Sequence, residues 1–114
     1  MDEAKAFWLA AAERYIEDCR RTASSLRVSE FASLMRRTPV QLGREFQSEV
    51  GLGVKEYFSM RQIDRAKELL RTTGQSTATI ATDLGFGTPR TFYRAFKRCA
   101  GQSPTDFRKK CHLA

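Results

Sequence analysis

A chain of 114 residues and 13.0 kDa has room for one domain or two very small ones, with no spare length for a catalytic domain. Hydrophobic residues at 41% and charged residues at 29% suit a folded soluble protein, and no apolar run approaches the ~20 residues of a membrane span. Twenty Lys and Arg against thirteen Asp and Glu leave a net charge of +7, which favours a polyanionic partner, nucleic acid or an acidic membrane surface, without choosing between them.

From about Asp2 to Arg21, Trp8, Ala12, Tyr15 and Cys19 recur at helical spacing with Phe7, Ala11 and Ile16 beside them. Glu13, Arg14, Glu17 and Asp18 lie off that stripe, so the segment reads as a packing helix with Trp8 as its core anchor. The opening residues lack the basic start and apolar core of a secretory signal, and an intracellular protein is expected. Cys19, Cys99 and Cys111 are scattered without CxxC spacing, which argues against a disulfide framework or a zinc site. Cys19 and Cys99 fall at apolar helical positions and are expected to be buried. Cys111 adjoins His112, the one histidine. Neighbours in a helix point about 100° apart, so the two do not form a nucleophile and its base.

A polar break at residues 22–25 precedes a short helix in which Val28, Phe31, Ala32 and Met35 share a face. Arg27 stands where a capping Ser or Asp would serve better, which leaves Ser25 or Ser29 for that role. Arg36 and Arg37 turn the chain, and Thr38 and Pro39 open a new helix, with Gln41 placed to complete a capping box. Leu42, Phe46 and Val50 face inward from it; Val40, Gln41, Arg44, Gln47 and Ser48 face out. Residues 54 to about 71 form the longest apolar-striped run, with Tyr57, Phe58, Ile63, Ala66, Leu69 and Leu70. A helix of that length spans ~27 Å, close to the ~34 Å between successive major grooves on one face of DNA. Gly74 ends it and Ser76 caps the next helix.

In the run from Ile80 to Arg108, Gly85 and Gly87 flank an inward Phe86 and allow positive φ in a tight turn. Thr88 and Pro89 then restart a helix. Phe92, Phe96, Pro89 and Cys99 fall on its core side; Arg90, Thr91, Arg94, Lys97 and Arg98 fall on the other, with no acid among them. Two helices joined this tightly suggest a helix-turn-helix. The pairs Thr38 and Thr88, Arg44 and Arg94, Phe46 and Phe96, and Gly51 and Gly101 are each 50 residues apart. Upstream of the turn the offset is 49, pairing Phe31 and Ala32 with Ile80 and Ala81 and Met35 with Leu84, so the second turn is one residue longer. The chain is an internal duplication. Two basic helix-turn-helix units on a fixed spacer favour DNA over a membrane surface, which would call for one long amphipathic helix.

The string Ala66-Lys67-Glu68-Leu69-Leu70, then Ser76, Ile80-Ala81, Gly85-Phe86, Phe92, Phe96-Lys97, Gly101, Ser103-Pro104 and Phe107-Arg108 at their spacings, resembles the DNA-binding module of the AraC/XylS family of bacterial transcription regulators. The resemblance runs from about Phe7 to Arg108. It implies an all-α, homeodomain-like fold of about seven helices, with two helix-turn-helix subdomains joined by a long linker helix. The expected division is a first subdomain over 1–53, a linker over 54–73 and a second subdomain over 74–114.

It also implies a transcription regulator, an activator, that inserts two helices into adjacent major-groove segments of double-stranded promoter DNA. RNA polymerase is then a partner, the location is cytoplasmic at the nucleoid, and neither cofactor nor metal is expected. If the native chain is longer, an effector or dimerisation domain would accompany this one. By position, the base-reading candidates are Val40, Gln41, Gly43, Arg44 and Gln47 in the first unit and Pro89, Arg90, Thr91 and Arg94 in the second.

Their chemistry is uneven. Arg44, Arg90 and Arg94 suit a bidentate pair to guanine, Gln41 or Gln47 suits adenine, and Val40 or the Thr91 methyl suits a thymine methyl. Pro89 and Gly43 offer no side-chain donor. Arg36, Arg37, Lys97 and Arg98 suit phosphates, as do the helix starts at Thr38 and Thr88. Gly43 in mid-helix costs about 1 kcal/mol relative to Ala, so the second unit is expected to carry more sequence information. Gln62 departs from the family, where a basic residue is common at that place in the linker helix. The competing class, a basic helical adaptor for a protein partner, has no use for a repeat at groove spacing, and nothing in the chain forms an enzyme site.

Overall fold

The computed structural model describes residues 3–113, all seven of whose regular elements are helices. They are α1 (Glu3–Thr22), α2 (Val28–Leu34), α3 (Pro39–Val50), α4 (Val54–Thr72), α5 (Thr77–Asp83), α6 (Pro89–Ala100) and α7 (Pro104–Leu113). The expected limits at Met1, Asp2 and Ala114 lie outside the described residues. The chain divides into two compact units between Phe58 and Ser59, inside α4.

The first unit closes around a ladder of aromatic rings. Trp8 meets Phe46 edge-on at 6.2 Å, Phe46 meets Tyr57 at 5.6 Å, and Tyr15, Phe31 and Phe58 form a triangle with sides of 5.3 to 5.7 Å. Ala12, Ile16, Cys19, Ala32, Leu42 and Val54 complete this core. In the second unit Phe92 and Phe96 hold the same place, with Phe86 and Phe107 packed on either side at 5.2 and 5.5 Å. Ile63, Ala66 and Leu70 of α4 and Ile80, Ala81 and Leu84 fill in around them. The first turns of α4 thus serve one core and its later turns the other.

The duplication is visible hydrogen bond by hydrogen bond. In the first turn Met35 N donates to Phe31 O, Arg36 N to Ser33 O and Arg37 N to Ala32 O, at 2.9 to 3.0 Å. In the second, Leu84 N, Gly85 N and Phe86 N donate to Ile80 O, Thr82 O and Ala81 O at 3.0 Å. The left-handed residue is Arg36 at φ 57° in one and Gly85 at φ 82° in the other; Gly87 does not take positive φ. Both reading-helix candidates end on left-handed glycines, Gly51 at 90° and Gly101 at 77°.

Three expectations change. Neither Ser25 nor Ser29 caps α2; its N-cap is Arg27, with no side-chain cap of its own. The cap comes from 12 residues back, where the Tyr15 hydroxyl accepts the Arg27 N–H at 2.9 Å and donates to the Glu30 carboxylate at 2.8 Å. Cys99 is exposed while Cys19 is buried. At the end of α6 the packing moves toward α7, so Ala100 and Phe107 join the core and Cys99 does not. Pro89, assigned to the core side of α6, is exposed, and Ala95 is buried in that layer.

Candidate nucleic-acid interface

Each unit presents its second helix-turn-helix helix on a capped, rigid start. Thr38 Oγ1 accepts Gln41 N–H at 3.2 Å and Gln41 Oε1 accepts Thr38 N–H at 3.0 Å, a complete capping box. Thr88 Oγ1 accepts Thr91 N–H at 3.1 Å and lies 3.0 Å from the Thr91 hydroxyl. Proline at the first helical position of both costs no hydrogen bond.

On α6 the predicted residues Pro89, Arg90, Thr91, Arg94, Lys97 and Arg98 are all exposed. The buried layer of Phe92, Ala95 and Phe96 lies opposite. Among the described residues, Arg90, Arg94, Lys97 and Arg98 have no acidic partner, and α6 contains no acid. Four unneutralised cations on one 12-residue helix repel one another in water and are stabilised by an anion. Contacts from α4 and α7 brace this unit. Gln62, the departure in α4, donates from Nε2 to the Leu84 carbonyl at the end of α5, and Arg108 donates to the Leu70 and Thr73 carbonyls at 3.1 Å.

On α3 the face is different. Val40, Gln41, Arg44 and Gln47 are exposed and Gly43 is half-buried, but Arg44 is the one cation and Glu45 and Glu49 are on the same helix. The amide oxygen of Gln41 is held by the capping box, so a bidentate grip on adenine requires breaking that bond. Of the predicted phosphate residues, Arg36 is exposed at the turn. Arg37 is committed within the unit: Nε pairs with the Glu45 carboxylate, Nη1 donates to the Met35 carbonyl at 2.7 Å, and the guanidinium lies 5.3 Å from the centre of the Trp8 ring. It locks the turn to α1 and α3 and is poorly placed to grip a phosphate.

Two features were not anticipated from sequence. Residues 1–58 carry nine Lys and Arg against nine Asp and Glu, whereas residues 59–114 carry eleven against four, so the whole +7 belongs to the second unit. Counting charge per unit would have found it. The other is Tyr93, 46% exposed on the basic side of α6; the 50-residue offset pairs it with Gly43 and would have brought it to notice.

Among the described residues no helix is long and apolar enough to cross a membrane. The family described as "Helix-turn-helix domain" matches residues 31–110. The arabinose operon regulatory protein of Escherichia coli is 33% identical over 86% of this chain and 33% of its own length. The C-terminal domain of AraT, a response regulator from Geobacillus stearothermophilus, superposes with a TM-score of 0.76 at 26% identity, covering 88% of this chain and 84% of that one. The DNA-binding domain of AdpA, a global transcriptional factor solved in complex with a target DNA, superposes with a TM-score of 0.82 at 21% identity, covering 93% of each chain. The chain spans a quarter to a third of the length of the first curated relatives it matches. It belongs to the AraC-type helix-turn-helix family, the DNA-binding part of bacterial transcription regulators and not an enzyme family.

Proposed function

We propose that this chain binds double-stranded promoter DNA in a sequence-specific way, α3 and α6 each entering one of two adjacent major-groove segments. The observation that carries the reading is the row of four unpartnered cations on α6, set on a capped helix of a helix-turn-helix. Arg90 and Arg94 suit guanine O6 and N7, the Thr91 methyl suits a thymine, and Lys97 and Arg98 suit phosphates farther along the helix. In the first unit Arg44, Val40 and Gln47 are the reading side chains, Gln41 contributes its free amide nitrogen, and Gly43 permits close approach, as Pro89 does in the second. Arg36 and the helix starts at Thr38 and Thr88 hold backbone oxygens. The DNA complex of AdpA supports this use of the shared fold. We infer further that the chain serves an activator working with RNA polymerase at the nucleoid in the cytoplasm.

Selection of bound duplexes from a random pool at a stated salt concentration tests this directly. A consensus should emerge. With about five phosphates neutralised, raising salt from 50 to 200 mM should weaken binding about 500-fold. Equal affinity for all duplexes, or binding indifferent to salt, would overturn the reading.

A further inference from the structure

Tyr93 is the large aromatic that α6 leaves in water, 46% exposed, and among the described residues its hydroxyl has no hydrogen-bond partner. It stands three residues after Arg90 and four before Lys97, so the three share one stripe of the helix with Arg94 alongside. Packing does not require a ring there. The twin position in the first unit is Gly43, where an added Cβ would meet nothing within 4 Å, so the shared fold leaves this position open in both units.

We infer that Tyr93 reads a base, by packing its ring on the 5-methyl group of a thymine next to the guanines taken by Arg90 and Arg94. The inference rests on the proposed DNA binding and extends it to a residue outside the predicted reading set. The chemistry selects the target. A basic helix in a major groove meets hydrogen-bonding edges everywhere except at thymine methyls, the one apolar group the groove displays. A ring flanked by cations, held in the groove by their phosphate and guanine contacts, loses water against that methyl. The hydroxyl is not required for this contact, which separates it from a polar grip on a phosphate.

The test uses the full chain and the duplex selected above, with each thymine replaced in turn by deoxyuridine, which removes only the methyl. Wild-type protein should lose about fourfold in affinity at one such position, the worth of one buried methyl. Tyr93→Ala should bind the unmodified duplex several-fold more weakly and be indifferent to deoxyuridine at that position, while Tyr93→Phe should behave as wild type. Melting curves of both variants should match the wild type, since the side chain is exposed. Three results would each overturn the assignment: independent effects of the two changes, damage in Tyr93→Phe equal to that in Tyr93→Ala, or unchanged binding by Tyr93→Ala. Failure of the wild-type chain to select any duplex would sink the DNA reading together with it, whereas the three results above leave that reading standing.

Discussion

Val40 and Arg90 occupy the same place in two copies of one helix-turn-helix, 50 residues apart, and the contrast between them runs through the whole of both helices. The sequence Pro-Val-Gln-Leu-Gly-Arg-Glu-Phe-Gln-Ser-Glu-Val in α3 answers to Pro-Arg-Thr-Phe-Tyr-Arg-Ala-Phe-Lys-Arg-Cys-Ala in α6. What the copies share is what the backbone needs: a Thr cap, a Pro at the first helical position, an inward Phe and a left-handed Gly at the end. Most of what they do not share faces water, apart from the core pair Leu42 and Phe92 and the buried Ala95, which answers to the exposed Glu45. The second copy replaces Val40, Gln47 and Ser48 with Arg90, Lys97 and Arg98, and the glutamates at 45 and 49 with Ala95 and Cys99. The first unit is neutral and the second carries +7. A duplicated frame has therefore been given two surfaces, one rich in positive charge and one that offers a single arginine, a methyl-bearing side chain and amides.

The largest expected consequence is at the shared arginine. Arg94→Ala should weaken binding to the preferred duplex by roughly 5- to 150-fold, the ~1–3 kcal/mol of a bidentate guanine contact, and relax preference at one base pair. Arg44→Ala should cost less, because its helix has neither the supporting cations nor a neighbouring side chain at position 43. Binding assays across singly mutated sites decide between them. If Arg44→Ala relaxed preference more than Arg94→Ala, the division of labour between the units would be reversed.

A smaller effect separates the units by stability. The first unit caps α2 with the Tyr15 hydroxyl, and the second caps α5 with Ser76, whose Oγ accepts Thr79 N–H at 3.1 Å. Tyr15→Phe leaves the Arg27 N–H and the Glu30 carboxylate without that partner and should cost about 1–2 kcal/mol; Ser76→Ala should cost about 1. Urea unfolding checks both. Burial, reinforced by the hydrogen bond to Glu30, pushes the Tyr15 phenol well above its ordinary range. A folded-state pKa raised in this way gives stability that is fully present below about pH 10 and is lost as pH rises beyond it. Tyr15→Phe should therefore flatten the alkaline loss of stability. An unchanged alkaline profile would mean the hydroxyl is not buried as described.

The helices, their Thr caps and the duplication were legible because each depends on residues within four positions of one another, or on a repeat that can be counted. The Tyr15 cap was not, since it joins residues 12 apart that only the packed aromatic core brings together. Arg37 looked like a phosphate ligand for the same reason: its partners Glu45 and Trp8 are set by the fold, and a turn arginine carries no local sign of them. Cys99 followed the helical period of Phe92 and Phe96, but periodicity does not know that the core ends one turn early and bends toward α7. The basic pattern of α6 marked its exposed face, and Tyr93 was left out of that set because an aromatic among charges has no signature until its exposure is known.

The finest difference between the units lies in the turns themselves, where Arg36 and Gly85 hold the same left-handed conformation with the same hydrogen bonds. A side chain at positive φ crowds its own backbone, and glycine does not. Substitution at the two sites should therefore have opposite signs. Arg36→Gly should stabilise the first unit by about 0.5–1 kcal/mol, less than the full left-handed penalty because glycine also loses more freedom on folding, and Gly85→Ala should destabilise the second by about 1 kcal/mol. If Arg36 also holds a phosphate, Arg36→Gly will bind DNA more weakly while melting at a higher temperature, and its salt slope will fall by about 0.9. Stabilisation without loss of that slope would assign Arg36 to the turn alone. Destabilisation by Arg36→Gly would show that its side chain holds the turn closed, as Arg37 does next to it.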